Sequence, residues 1–285
     1  MHQPKVLVIQ DISASCRISL NVAVPVLSCL DNGVSVLPTA LLSTHTGIGF
    51  TDFTYLNLTS EIKKILHHWK TLGLKFDGLL IGYLGSIEQI ELVRYIIREF
   101  LTDDALSVLD PVLGDHGFLY PGFDDDYVNQ MRILCRDVSV VIPNMTETSL
   151  LLDESYHPGP YTEADIKAQL RKLTALNQGT VVLTGVRYDD EKIGAASYRY
   201  QTDGYAYAAG PYYPGHFDGT GDLFSSVIAG FLFQKKPLAL ATKTAVDYVG
   251  RVIIRTLESD NDLKYGVQFE TDLPYLIQQL YQDRE

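Results

Sequence analysis

Ala105-Leu106-Ser107-Val108-Leu109-Asp110-Pro111-Val112-Leu113-Gly114-Asp115 is a short apolar run that ends abruptly at a carboxylate, a proline and a glycine. A run of this length, bounded by turn residues, reads as a strand buried on both faces. On either side of it, residues 87–101 and 126–135 carry apolar side chains at three- and four-residue spacings, which predicts helices. The same alternation extends outward in both directions. Residues 5–10, 35–41, 78–82, 138–142 and 180–184 read as further strands, and 19–30, 60–72, 163–176 and 221–234 as further helices. The expected fold class is therefore α/β: a doubly wound, mainly parallel central sheet with helices on both faces. Residues 194–200 and 205–210, around Thr202-Asp203-Gly204, predict a small antiparallel hairpin on the sheet's edge. The stretch between Gln10 and Ser35 has no room for a large lid of inserted strands. Without a repeat, a low-complexity tract or a linker, and with Pro158-Gly159-Pro160 too short to be one, residues 1–285 are expected to form a single domain.

Composition narrows the function. Hydrophobic residues make up 46% and charged residues 20% of the 285, enough for an ordered core. A formal net charge of −12 argues against nucleic acid or anionic lipid as a partner, because both demand an excess of Lys and Arg. Cys16, Cys29 and Cys135 are odd in number and widely spaced, so reduced thiols are expected rather than disulfides or a zinc site. No signal-peptide pattern precedes residue 5, and no apolar run approaches the roughly 20 residues that cross a bilayer. A cytoplasmic protein is the expectation.

In a doubly wound sheet, ligands gather beyond the carboxyl ends of the strands. Here those ends carry Gln10-Asp11, Ser43-Thr44-His45-Thr46-Gly47, Gly82-Tyr83-Leu84-Gly85-Ser86, Asp110 to Asp115, Pro143-Asn144 with Glu147, and Thr184-Gly185. The sharpest signal comes later, at Asp218-Gly219-Thr220-Gly221-Asp222, which leads into an apolar helix. Glycines expose backbone amides and a helix N-terminus adds partial positive charge, so Gly219, Thr220 and Gly221 suit a phosphate. Asp222 beside them could take the proton of an attacking hydroxyl. An ordinary helix cap fits the same tetrapeptide equally well. A P-loop is excluded because His216-Phe217 follows Gly215 where Lys-Ser/Thr belongs, and a dinucleotide fingerprint because the third glycine is missing.

These segments, in this order and on these strand ends, resemble the pyridoxal kinases of the ribokinase superfamily over nearly the whole chain. The resemblance implies that Asp222 is the catalytic base toward the 5′-hydroxymethyl group of a vitamin B6 vitamer, with Gly219, Thr220 and Gly221 as the anion hole. It implies that Asp110, Asp115, Asn144 and Thr184 lie around the ATP phosphates, and that Asp115 and Glu147 organise Mg²⁺. His45, Thr46 and Tyr83 would line the substrate pocket. Mg²⁺ with ATP, often K⁺, and a homodimer complete what the family implies. Singly, each residue has a structural reading: Asp110 before Pro111 ends a strand, Asp115 caps a turn, and Asn144 with Glu147 starts an N-capped helix. Asp124-Asp125-Asp126 reads as a helix start, His67-His68 as a solvated helix flank, and Tyr212, Tyr213 and Phe217 as packing or as a cover over the ligands.

The match departs after the first strand. Asp11 stands where many of these kinases have a serine, and Cys16-Arg17-Ile18-Ser19-Leu20 replaces a glycine-rich stretch. A carboxylate only accepts hydrogen bonds, so Asp11 would suit a protonated ring nitrogen or an amine, and with it pyridoxamine or pyridoxine as well as pyridoxal. Two other readings stay open: a hydroxymethylpyrimidine kinase of the same superfamily, which often has Cys where Asp222 stands, and a non-catalytic vitamer or nucleotide sensor.

Overall fold

Alternate residues along each strand face opposite layers of helices, and this arrangement places the site. In β1 (Lys5–Ser13), Leu7 and Ile9 join one core while Val6 and Val8 join the other. The pattern repeats at Leu79 and Leu80 of β4 (Phe76–Ile81), at Leu109 and Val108 of β5 (Leu101–Leu109), and at Leu183 and Val182 of β9 (Thr180–Val186). The computed structural model describes residues 3–47, 49–260 and 262–282. One core is closed by α2 (Thr59–Thr71), α3 (Ile87–Phe100), α4 (Asp125–Arg136), α5 (Met145–Leu152) and α6 (Glu163–Asn177). The other is closed by α1 (Leu20–Cys29), α7 (Thr220–Phe233), α8 (Leu238–Leu257) and α9 (Leu273–Tyr281).

Nine strands form the sheet, in the order β11-β10-β9-β8-β5-β4-β1-β2-β3, where β2 is Gly33–Leu42, β3 Tyr55–Asn57, β8 Val140–Val141, β10 Lys192–Arg199 and β11 Gly204–Pro211. The pairs β1·β2, β1·β4, β4·β5, β5·β8 and β8·β9 are parallel. The edge hairpin β10–β11 pairs antiparallel, as the sequence predicts, and β3 adds an unforeseen antiparallel strand on the far edge. A separate two-stranded hairpin, β6 (Gly114–Asp115) with β7 (Phe118–Leu119), follows β5. Successive connections leave β1 for β2 on one side and reach β4 on the other, so the winding reverses at β1/β4. That is where an open α/β sheet splits into a crevice. Register slips between Gln10 and Ile12, the neighbours of Asp11, and such irregularities re-aim side chains at the ends of strands. Only α1 lies between β1 and β2, so no lid of inserted strands is present there.

Local chemistry explains the helix starts. Asp124 caps α4 by accepting from Tyr127 N–H at 2.9 Å, which is the structural reading of the aspartate run. His67 and His68 are exposed on α2, and Cys16, Cys29 and Cys135 are free thiols. No helix among the described residues is long and apolar enough to cross a membrane.

Candidate active site

Gly219 opens α7 with φ of +84°, and a Cβ there would lie 2.3 Å from Arg17 O. Only glycine fits so close a backbone approach, which brings the segment after β1 against the start of α7. Gly221 is exposed, and a Cβ there would meet nothing within 4 Å. The amides of Gly221 and Asp222 lie in the first turn of a helix, where no preceding turn supplies carbonyl acceptors. With the dipole of a 14-residue helix behind them, they form an anion cup. Thr220 steadies the turn by donating its hydroxyl to Phe217 O at 2.8 Å.

The Asp222 carboxylate sits at the lip of this cup. Its Oδ2 accepts from Ser19 N–H at 2.9 Å, and Gln10 Nε2 lies 3.5 Å from Oδ1. Gly82 makes room for that amide, since a Cβ there would fall 2.5 Å from Gln10 Nε2. Burial pushes the Asp222 carboxyl up to about 8; the Ser19 amide opposes this, while the negative charges of Asp110, Asp11 and Asp218 add to it. A cation bound beside the group would oppose this rise, because positive charge favours the ionised form.

The acidic cluster lies beside it. Burial raises Asp110, at the end of β5, to about 6, against hydrogen bonds from Ser225 and the Val112 amide. Glu147 is buried and lifted well above the ordinary carboxylate range by burial and by Asp110. Its two oxygens take Leu113 N–H at 3.0 Å and Asn144 N–H at 2.8 Å. Asn144 in turn accepts from Glu147 N–H at 2.8 Å and donates Nδ2 to Gly114 O at 2.9 Å. The structural reading of this pair, a capping box, is thus realised, and it ties the loop after β5 to the head of α5. Asp115 lies on β6, half-buried, and Thr184 lies two residues before the end of β9 with its hydroxyl 3.4 Å from Pro143 O. Asp110, Asp115 and Glu147 supply hard oxygen donors, and their crowded charge is relieved by a dication, so the residues fit Mg²⁺. Glu147 fits as an outer ligand, both oxygens already holding amides. Asp115, His116 and His216 also bring ligand atoms within 4.8 Å of one another on the exposed rim.

On β1, Asp11 is buried and accepts from Ser19 Oγ at 2.5 Å and Ser13 Oγ at 2.9 Å. Burial raises its carboxyl despite these hydroxyls. His45 is fixed through both ring nitrogens: Nδ1 accepts from Gly47 N–H at 2.9 Å and Nε2 donates to Lys264 O at 2.6 Å. Its ring is buried and meets Phe50 in a T-shaped contact at 4.9 Å. Thr46 is exposed on the same loop. Tyr83 follows β4 and has its phenol raised by burial and by neighbouring Tyr55 and Asp11. Gly85 leaves space for the Tyr55 hydroxyl, which a Cβ would meet at 2.4 Å. Arg187 lies over the Tyr212 ring at 4.3 Å, and Phe217 packs against the second core, so both aromatics have packing roles.

A family model described as phosphomethylpyrimidine kinase matches residues 57–266, more than half the chain. This chain belongs to that family. Its structural neighbours include the pyridoxal kinase of Lactobacillus plantarum, with TM-score 0.88 and 34% identity over 99% of both chains. A Bacteroides thetaiotaomicron protein, provisionally described as a phosphomethylpyrimidine kinase and crystallised in a form with pyridoxal, gives TM-score 0.90 and 39% identity over 96% of each chain. Among curated relatives, the pyridoxal kinase of Dictyostelium discoideum is 24% identical over 206 residues, 66% of this chain and 65% of that protein. A provisionally named pyridoxal kinase of Schizosaccharomyces pombe is 25% identical over 213 residues, 68% of this chain but only 58% of that protein. The resemblance to ribokinase-like pyridoxal kinases read from the sequence holds.

Asp222, Asp110, Asp11 and Glu147 fall in one charge cluster, with Asp115 at its margin. Three contributors escaped the sequence reading. Ser19 and Gln10 touch Asp222, and the burial-raised Tyr120 phenol faces Glu147, Asp115, Asp110 and Asp222. An amide in the middle of an apolar strand was a usable signal for Gln10. Nothing local marked Ser19 or Tyr120.

Proposed function

We propose that the chain uses ATP to phosphorylate the 5′-hydroxymethyl group of a vitamin B6 vitamer. One observation carries the reading: an open amide cup at the head of α7 has the Asp222 carboxylate at its lip and the Asp110–Glu147 cluster beside it. The pyridoxal kinase identity of the L. plantarum neighbour and the pyridoxal form of the B. thetaiotaomicron neighbour support the substrate class. Asp222 takes the hydroxyl proton as the alcohol oxygen bonds to the γ-phosphorus, the bond to the bridging oxygen breaks, and ADP leaves. The amides of Gly221 and Asp222, in the turn that Gly219 and Thr220 shape, hold the charge of the transferring group. Bound Mg²⁺, held by Asp115 and through the outer contact of Glu147, would neutralise phosphate charge. Asp110, Asn144 and Thr184 would border the nucleotide, and Asp11, His45, Thr46 and Tyr83 the vitamer.

The two cores share one sheet, which supports a single domain. Val36, Leu41, Phe53, Tyr55 and Leu56 are exposed around the β2–β3 edge, and this apolar rim supports a homodimer through that edge. A K⁺ requirement and a cytoplasmic location belong to the same proposal. The test is direct. Purified chain with Mg·ATP should convert pyridoxal to its 5′-phosphate, and Asp222→Asn should lower kcat by roughly 10²–10⁴. Preferential turnover of hydroxymethylpyrimidine would transfer the assignment to the other branch of the family, and binding without turnover would leave a sensor.

A further inference from the structure

We propose that Ser19 is a positioning residue for Asp222, braced in a backbone conformation that suits glycine by the buried carboxylate of Asp11. The inference rests on the reading of Asp222 as the base. Ser19 has φ 49° and ψ −128°, close to the first central position of a type II′ turn, where glycine is the usual residue. A serine there is strained unless its surroundings hold it. Two bonds do so from opposite ends of the residue. Its amide donates to Asp222 Oδ2 at 2.9 Å, and its hydroxyl donates to Asp11 Oδ1 at 2.5 Å.

The direction of the hydroxyl is independent support. Ser19 is the N-cap residue of α1, a position where serine ordinarily turns its oxygen onto the amides of the first turn, yet here it makes no side-chain cap. Its carbonyl still accepts from Val22 and Ala23, so the helix start is intact while the hydroxyl is committed elsewhere. Asp11 is itself held by Ser13 Oγ at 2.9 Å and lies at the register slip of β1, which aims it toward Ser19. The preceding residue pair is also fixed: Arg17 donates its amide to Tyr265 O at 2.8 Å, and its carbonyl abuts Gly219. The chain Asp11–Ser19–Asp222 thus transmits the position of β1 to the carboxylate at the head of α7.

The experiment separates this role from direct contact of either side chain with the vitamer. Ser19→Ala leaves nothing to hold the unfavourable backbone, so the amide moves away from Asp222. Ser19→Gly removes the same hydroxyl but adopts the conformation freely and keeps the amide. In the full chain with saturating Mg·ATP, Ser19→Ala should lower kcat for pyridoxal by roughly 10-fold or more, part of what a general base supplies, with KM changed by less than about threefold. Ser19→Gly should recover most of that loss, and Asp11→Ala, which removes the acceptor of the Ser19 hydroxyl, should resemble Ser19→Ala. In an Asp222→Asn background Ser19→Ala should cost nothing further, because both act through one carboxylate. Equal losses in Ser19→Ala and Ser19→Gly, or losses that multiply with Asp222→Asn, would overturn the proposal. So would an Asp11→Ala variant that changes the ranking of pyridoxal, pyridoxine and pyridoxamine without lowering kcat for pyridoxal. Full activity in Asp222→Asn alone would instead remove the base itself, and the positioning role with it.

Discussion

Asp222→Asn should weaken catalysis and yet strengthen the fold, by an amount that grows with pH. Burial and the charges of Asp110, Asp11 and Asp218 push the wild-type carboxyl from its ordinary 3.8 to about 8. In the unfolded chain the group ionises near its ordinary value, so between these two pH values the native state holds a proton that the unfolded state has lost. Wild-type stability therefore falls as pH rises from ~4 to ~8, then levels off. At ~1.4 kcal/mol per pH unit the ceiling is ~6 kcal/mol. Solvent at the half-buried site screens part of this, and asparagine accepts only a neutral hydrogen bond from the Ser19 amide in place of a charge-assisted one. A gain of ~1–3 kcal/mol above pH 8 is the expected remainder. Thermal and urea unfolding of both proteins at pH 4, 6 and 9, in chelator, measures the difference directly, and taking the difference cancels every other titrating group that the substitution leaves alone. A variant less stable than wild type at pH 9, or an advantage that does not widen with pH, would refute the placement of this carboxylate among buried negative charges.

The same electrostatics predicts that kcat/KM rises with pH toward a limb near 8 at low Mg²⁺, because a base must be ionised to act, and that the limb moves to lower pH as Mg²⁺ is raised. Gly219→Ala combines positive φ with a Cβ placed 2.3 Å from Arg17 O, so it should destabilise by at least ~2 kcal/mol and depress kcat. Gly221→Ala has open space and a helical position, so chemical denaturation should register little change while the KM for ATP rises. Glu147→Gln keeps an acceptor for one amide but sets a donor against the other; a loss of ~1–3 kcal/mol and a higher Mg²⁺ requirement in activity titrations are expected.

Strand and helix periodicity was legible because a strand covered on both faces must be apolar at every position, and a crossover helix only along one stripe. The run through Leu109 and the helices beside it needed no tertiary information. Boundaries were less secure where pairing decides them: residues 138–142 look uniformly strand-like, but only Val140 and Val141 find partners in β8. β3 was hidden because Tyr55-Leu56-Asn57 is too short to show a period, and its pairing with β2 makes it a strand.

The composition of the site was likewise local information. Glycine at 219 and 221, a carboxylate at 222 and an apolar helix behind them are compatible with an anion cup and a candidate base, and equally with an ordinary helix cap. What folding alone decided is the environment of the Asp222 carboxylate. Ser19 reaches Asp222 across 203 residues of sequence, and Asp11 and Asp110 arrive on different strands. Hydrogen bonds and charges act through space and depend on the water excluded around them. A carboxylate's proton affinity is therefore set by its neighbours in the folded chain, which residue order alone does not state.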